Sequence, residues 1–385
     1  MLITDSESLA KFCDALRDAP YLAVDTEFVR EKTYHSRLCL VQVAYGAHAA
    51  AIDPLIDGLD MAPLRELLCD RSKVKVLHAA VGDLEIFFQK MGEVPAPVFD
   101  TQIAAVVCGH GEQPGYATLV SNLLGITIDK VSQATDWARR PLTDRQVEYA
   151  LGDVTHLCEI YELLRDELGS SGRDGWVAEE MEALLDPARF EVDPRAAYRR
   201  IRIRRPTRAA LAVLREVADW RERTAMERDV PRNWVVKDDA LAEIAQHQPS
   251  DREELERVRT ISAGVARGRD GAALLEAVAR SLESPEETWP ELPVRREPLS
   301  GHESLVALLQ ALLRLRCETH GVAMWLVAKR DDLNRIATED APDVPALTGW
   351  RRELFGEAAL ALRDGRLALT GDGRGVVDVE ISPDP

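Results

Sequence analysis

Asp25 and Glu27 close the apolar run Tyr21-Leu22-Ala23-Val24, one residue apart. A strand turns alternate side chains to one face, so both carboxylates would project together from the rim of a buried strand. Two unscreened acids so placed are costly unless a cation neutralises them. Two further acids stand in contexts that would complete such a site: Asp83, ending His78-Ala79-Ala80-Val81-Gly82-Asp83, and Asp153, ending Tyr149-Ala150-Leu151-Gly152-Asp153. Phosphodiester hydrolysis needs an activated water and a stabilised leaving oxygen, which two divalent ions about 3.5–4 Å apart supply. Hard carboxylate oxygens are the ligands such ions take. Four carboxylates and a tyrosine therefore suit a two-metal phosphodiesterase.

The elements that must position these residues are visible in the apolar pattern. Strands are expected at 21–27, 37–44, 48–52 and 74–78, and helices at 62–69, 82–91 and 116–124, the last stopped by Gly125. This mixture implies an α/β layer fold with a largely buried sheet. Residues 143–168 read as one long helix, opened by a Thr143/Gln146 capping box. Val147, Leu151, Val154, Cys158, Tyr161 and Leu164 form its expected core stripe. At ~100° per residue, Tyr149 and Asp153 share a face away from that stripe, which predicts that they are not core residues.

Beyond residue 168 the pattern changes. Gly169-Ser-Ser-Gly-Arg-Asp-Gly175 reads as a flexible break and the first domain boundary. The rest is helical, with a second break over 284–298 and a Gly/Asp/Pro-rich tail from Gly371. Two segments look related: Leu241 and Ile244 recur as Leu333 and Ile336 at a spacing of 92, and Trp234 recurs as Trp325 at 91. That spacing suggests duplicated small helical domains rather than a solenoid.

The 385 residues allow two or three domains, and no apolar stretch approaches membrane-spanning length. The first residues carry acids and no basic region, unlike a secretory signal. Six widely spaced cysteines without a Cys-x-x-Cys fit a reducing cytoplasm. The net charge of −18 at first discourages a nucleic-acid partner, but its distribution matters more. Residues 1–168 hold 26 Asp plus Glu against 15 Lys plus Arg, whereas 195–208 hold seven arginines and no acid. An acidic catalytic region beside a basic strip suits an enzyme that gathers cations at its site and holds phosphates elsewhere. A solvated linker helix is the plain alternative for the strip.

Together, Asp25-Thr26-Glu27, Asp83 after Val76-Leu77-His78, Tyr149-x-x-x-Asp153, Phe99-Asp100-Thr101-Gln102 and Leu40-Val41-Gln42 resemble the ribonuclease D family. This family lies in the tyrosine branch of the DEDD 3′→5′ exonucleases. The histidine branch places His five residues before the last Asp, and position 148 here is Glu. The resemblance covers essentially the full length. It implies a ribonuclease H-like α/β exonuclease domain with a mixed sheet and flanking helices over 1–175, then a basic helical linker over 176–206. A helicase-and-RNase-D C-terminal (HRDC) domain is expected over 207–285, a second all-α HRDC-like domain over 299–370, and a flexible tail over 371–385.

The resemblance further implies that Asp25, Glu27, Asp83 and Asp153 hold two Mg²⁺ ions, directly or through water, with Mn²⁺ able to substitute. Tyr149 would orient the attacking water. A phenol titrates near ~10, so positioning is favoured over proton abstraction. Asp100 reads as a helix cap outside the metal set, and His78 and Gln42 as satisfied structural groups. The implied activity is a 3′→5′ exoribonuclease that trims precursor tRNAs and other structured RNAs, releasing nucleoside 5′-monophosphates. Arg195, Arg199, Arg200, Arg202, Arg204, Arg205, Arg208 and Arg232 are the candidate RNA grip, with the Pro231–Trp234 turn. A DNA 3′→5′ exonuclease and a non-catalytic RNA-binding scaffold are the alternatives. No protein partner and no membrane association is indicated.

Overall fold

The computed structural model describes residues 1–128, 135–292 and 301–381. They divide into two compact units.

The first unit begins with β1 (Leu2–Ile3), α1 (Ser6–Ala15), β2 (Tyr21–Val29), β3 (Arg37–Tyr45) and β4 (His48–Ile52). It continues through α2 (Ala62–Cys69), β5 (Val74–Leu77), α3 (Val81–Met91), β6 (Val98–Asp100), α4 (Thr101–Cys108) and α5 (Tyr116–Leu124). α6 (Asp144–Ser171) and α7 (Asp174–Leu184) follow. The six strands form one mixed sheet in the order β1-β4-β3-β2-β5-β6. β4 runs antiparallel to β3, while β2 and β6 both run parallel to β5. The expected α/β layer fold is present. The sequence pattern missed β1, α1 and β6, of which the two strands are too short to show a period, and marked only the cap of α4 at Asp100.

Alternation along β2 divides its side chains between two cores. Leu22 and Val24 join the larger core with residues of α1, α2, α3 and α4. Tyr21 and Ala23 face the other way, onto Val154, Leu157, Cys158 and Tyr161 of α6. Continuing that alternation turns Asp25 and Glu27 toward α6.

α6 keeps its Thr143/Gln146 capping box but differs from expectation twice. Its buried stripe runs through Ala150, Asp153, Val154, Leu157, Ile160, Tyr161 and Leu164, whereas Val147 and Leu151 are only half-buried. Asp153 therefore belongs to the buried face of the helix rather than to a solvated one. The helix also runs through the glycine-rich segment to Ser171, ends on Gly172 in the left-handed conformation (φ 68°), and turns directly into α7. Residues 169–175 are thus the end of α6, a tight turn at Gly172–Arg173 and the start of α7, all inside the first compact unit.

The second unit comprises α8 (Arg208–Arg228), α9 (Arg232–Val235), α10 (Asp238–His247), α11 (Arg252–Arg257), α12 (Ala263–Arg267) and α13 (Arg269–Glu283). It also takes residues 191–206, whose 3₁₀ turn Pro194–Arg200 packs Ala197 into its core. The expected linker is accordingly split, α7 belonging to the first unit. A further departure concerns the segment that follows the Asp25-x-Glu27 strand. Residues Phe28–Arg37 belong to the second unit, with Tyr34 buried in its core beside Ala197, Ile201 and Val217. The Tyr34 hydroxyl donates to Glu222, and the Tyr34 and His35 amides donate to Asp229 Oδ1 at 3.0 and 3.2 Å. The first compact unit is therefore not the continuous stretch 1–175.

The chain then returns to the first unit with α14 (Glu303–His320), α15 (Met324–Val327), α16 (Arg330–Thr338), α17 (Gly349–Arg351) and α18 (Glu357–Arg363), the last two joined by a π turn. The region expected as a separate second domain shares its core with the exonuclease sheet and helices. Trp350 stacks on Trp176 of α7 with ring centroids 4.6 Å apart. Arg173 donates to the carbonyls of Val107 and His320, both at 2.7 Å. The expected flexible tail is ordered through residue 381: β7 (Leu367–Gly371) and β8 (Val376–Glu380) form an antiparallel hairpin, anchored by Arg316 to Asp378 at 2.5 Å. Residues 293–298 of the second expected break and 382–385 of the tail lie outside the described residues. Among the described residues no helix is long and apolar enough to cross a membrane, and none of the six cysteines forms a disulfide.

The suspected repeat is visible in the backbone. α9 ends on Val236 (φ −153°, ψ 137°) and α15 on Ala328 (φ −152°, ψ 143°), 92 positions apart. Leu241, Ile244, Leu333 and Ile336 are all buried. In that register Trp234 corresponds to Leu326, and the two tryptophans are one residue out of step.

Candidate active site

β2 and α6 bring three of the four expected carboxylates together. Asp25, Glu27 and Asp153 each offer an oxygen within 4.8 Å of the others. They line a cleft of about 210 Å³ with Thr26, His78, Tyr116, Tyr149 and Leu157. A second cavity of about 280 Å³ shares Tyr149 and Asp153 and is bounded by Ile126, Arg145 and His156.

Asp83 is held differently. It sits in the first turn of α3, buried, and accepts a hydrogen bond from the Thr26 hydroxyl between the two acids of β2. It lies outside the three-carboxylate set, although its charge is felt by Glu27. The turn that leads into α3 is built on Ala79, whose φ of 55° is unfavourable for a side chain bearing Cβ. Asp100 holds it there, accepting from the amides of Ala79 at 3.0 Å and Ala80 at 2.8 Å while capping α4 through Gln102. The expected capping role of Asp100 is thus present, together with a second one that fixes the start of α3.

Residues not singled out in sequence support the site. The Tyr116 hydroxyl donates to the Asp153 carbonyl, tying α5 to α6. Buried Trp137 lies against Tyr149, with ring centroids 6.2 Å apart. The segment carrying Trp137 is fastened by Arg140, which grips buried Asp53 with Nε at 2.5 Å and Nη2 at 2.7 Å and donates to the Trp137 carbonyl. None of these has a local motif; only the fold makes them neighbours. His78 is satisfied on one side only: its Nδ1 meets Thr101 Oγ1 at 3.0 Å, while its buried Nε2 finds no hydrogen-bond partner among the described residues. Gln42 is not satisfied, since its fully buried amide finds no partner among the described residues.

Crowding of acids away from water dominates the electrostatics. Burial, then the Asp153 charge, raises Asp25 to about 7. Glu27 is pushed up to about 9 by burial and the charges of Asp25, Asp153 and Asp83. Burial raises Asp153 to about 7, partly offset by the Tyr149 hydroxyl, and lifts Asp83 well above the usual carboxylate range. Tyr149 is itself raised by burial and by Asp153. One Asp153 oxygen, Oδ1, is buried with no hydrogen-bond partner. Acids that cannot ionise comfortably together, one with an unused oxygen facing its neighbours, fit a site made for divalent cations.

The candidate RNA-binding arginines fall into two groups. Arg195 pairs with Glu216 at 3.0 Å, Arg208 with Glu291 at 3.0 Å, and Arg232 with buried Glu222 at 3.6 Å while lying over the Tyr34 ring. These three have structural partners. Arg199, Arg200, Arg202, Arg204 and Arg205 are exposed and form no ion pair among the described residues.

Comparison with known proteins gives the chain its relatives. The family model described as 3′-5′ exonuclease matches residues 1–169, and that of the HRDC domain matches 210–278. The chain is 48% identical over 376 residues to a ribonuclease D of Granulibacter bethesdensis, covering 97% of this chain and 95% of that one. It is 47% identical over 381 residues to a ribonuclease D of Acidiphilium cryptum, covering 99% and 97%. The crystal structure of Escherichia coli RNase D, described as an exoribonuclease involved in structured RNA processing, superposes with a TM-score of 0.82 at 36% identity, covering 95% of this chain and 98% of that one.

Proposed function

The chain belongs to the ribonuclease D family, and on that premise we propose that it trims the 3′ ends of precursor tRNAs and other structured RNAs by a two-metal mechanism. It is a hydrolase, a 3′-5′ exoribonuclease. The observation that carries the proposed mechanism is the meeting of Asp25, Glu27 and Asp153 within 4.8 Å beside Tyr149.

In this reading Asp25, Glu27, Asp83 and Asp153 hold two Mg²⁺ ions, for which Mn²⁺ substitutes. When bound, such ions polarise the phosphoryl oxygens and acidify water. The protein's own groups do the positioning. Tyr149 keeps its proton, since burial and Asp153 raise it, so its hydroxyl orients the water rather than deprotonating it. Trp137 and Tyr116 keep Tyr149 and α6 in register with β2. The cleft takes the 3′-terminal nucleotide, and hydrolysis releases a nucleoside 5′-monophosphate. Arg199, Arg200, Arg202, Arg204 and Arg205 supply phosphate contacts for the body of the RNA. The free cysteines suit work in the cytoplasm, and the repeated backbone of α9 and α15 supports reading α14–α18 as a diverged second HRDC copy.

A precursor tRNA labelled at either end tests this. With Mg²⁺, the 3′ label should leave as a mononucleotide while the 5′-labelled chain shortens stepwise to the mature end; the matched DNA should be degraded more slowly. Asp25→Asn should stop both signals. Endonucleolytic fragments, or equal activity in that variant, would reject the mechanism.

A further inference from the structure

α9 and α15 are the same structural piece in different surroundings. In α15, Trp325 donates Nε1 to the Glu112 carbonyl at 2.6 Å while remaining 45% exposed, and Leu326, at the position of Trp234, is buried in the core of the first unit. The corresponding residues of α9 are Asn233 and Trp234, and both are exposed. Trp234 shows 63% of its surface, more than any other large hydrophobic residue described, and its ring has no hydrogen-bond, ring or cation partner among the described residues. Val235 beside it is buried in the core, so α9 is firmly seated while presenting this ring to solvent.

The surroundings indicate what would cover it. The other strongly exposed large hydrophobics described in the second unit are Phe28, Leu282 and Leu292. Trp234 is not among the hydrophobics packed against that unit's core, and a single ring is less than the broad apolar patch a protein partner needs. Arginines are close instead. Arg232 lies over the Tyr34 ring at 5.8 Å, and Arg200 as well as Arg232 bears electrostatically on the Tyr34 hydroxyl. Arg200 belongs to the run whose five exposed members lack acidic partners, a run tied to α10 by the Gln246 amide donating to the Arg204 carbonyl at 3.2 Å. An isolated aromatic face beside uncompensated guanidinium groups matches a nucleotide, which brings a flat base and a phosphate together.

We propose that Trp234 is a stacking platform for an unpaired RNA base, with Asn233 at the base edge and the exposed arginines of 199–205 on the neighbouring phosphates. This rests on the reading of those arginines as the RNA grip. Binding of a single-stranded RNA by the full-length protein, in chelator so that nothing is cleaved, tests the two parts separately. Trp234→Ala should weaken binding roughly 5- to 100-fold, Trp234→Phe should retain most of it, and the slope of affinity against salt should stay unchanged. The loss should shrink on an RNA of abasic nucleotides. Replacing Arg200, Arg202 and Arg204 by Ala should instead lower the salt slope by about 2.

Wild-type affinity in Trp234→Ala, or an equal loss on abasic RNA, overturns the stacking. So does a change in self-association on sedimentation with RNA affinity intact, which would assign the ring to a second copy. An unchanged salt slope in the arginine variant, with the Trp234 effect preserved, overturns the grip alone.

Discussion

Each acid of the site is unremarkable alone and expensive in company. Asp25, Glu27 and Asp153 share a cleft that water only partly screens, so each resists ionisation while the others carry charge. The sign of the consequence can be worked out. Folded values of about 7 for Asp25 and Asp153 lie above unfolded ones near ~4. The folded state therefore binds protons more tightly, and this contribution to stability is complete below about pH 4 and lost as pH rises through about 7. Glu27 extends the loss toward about 9. Melting curves without divalent ion should fall between pH 5 and pH 8, and Asp153→Asn should flatten that fall. Mg²⁺ should raise the midpoint more at pH 8 than at pH 5. Parallel curves for wild type and variant would show that the acids do not share a site. Tyr149→Phe separates positioning from metal holding: turnover should drop about 10²- to 10⁴-fold, while the Mg²⁺-induced rise in melting midpoint stays intact.

At the scale of elements, β2 and the loop after it carry the larger lesson. The strand holds two metal-ligand candidates, and within a few residues the chain enters the second unit's core. Tyr34 is 4% exposed, and its hydroxyl bonds Glu222, itself fully buried with its other oxygen unpartnered. Tyr34→Phe leaves that carboxylate without its phenol, a loss of about 1–3 kcal/mol. Chemical denaturation should register it as a lower midpoint, and Glu222→Gln should recover part of the loss because a neutral amide tolerates burial better. A midpoint unchanged in Tyr34→Phe would mean the hydroxyl bond contributes nothing net. The helix α6 was legible by its capping box and length, yet its buried face was misjudged. The apolar stripe was chosen from residue types, whereas Asp153 lies on the face that packs on the sheet, beside Val154 and Leu157.

For the molecule as a whole, three segments far apart in sequence make one catalytic unit. α4 and α14 end on glycines that meet so closely that a Cβ on Gly109 would lie 2.8 Å from the Gly321 carbonyl oxygen, with Gly109 at φ 89°. Together with the Trp176–Trp350 stack and the Arg173 bonds, this contact makes α14–α18 part of the exonuclease body. A chain ending at residue 292 should therefore melt well below the full-length protein and bind hydrophobic dyes, even though β2, α3 and α6 are intact. Gly109→Ala should reproduce a milder form of the same defect. A truncated chain with the full-length midpoint would show that the C-terminal helices are an independent appendage.

The types and order of Asp25, Glu27, Asp83, Tyr149 and Asp153 were readable from sequence because each stands at a recognisable strand end or helix turn, where spacing alone fixes which side chains share a face. The repeat was readable for the same local reason, and the HRDC region from its resemblance to a known family. Partnership across space was not. That Thr26 binds Asp83, that Trp137 braces Tyr149, that residues 28–37 join the second unit, and that the last helices complete the first one are all long-range contacts. They depend on which apolar faces find each other, and no local period encodes that choice.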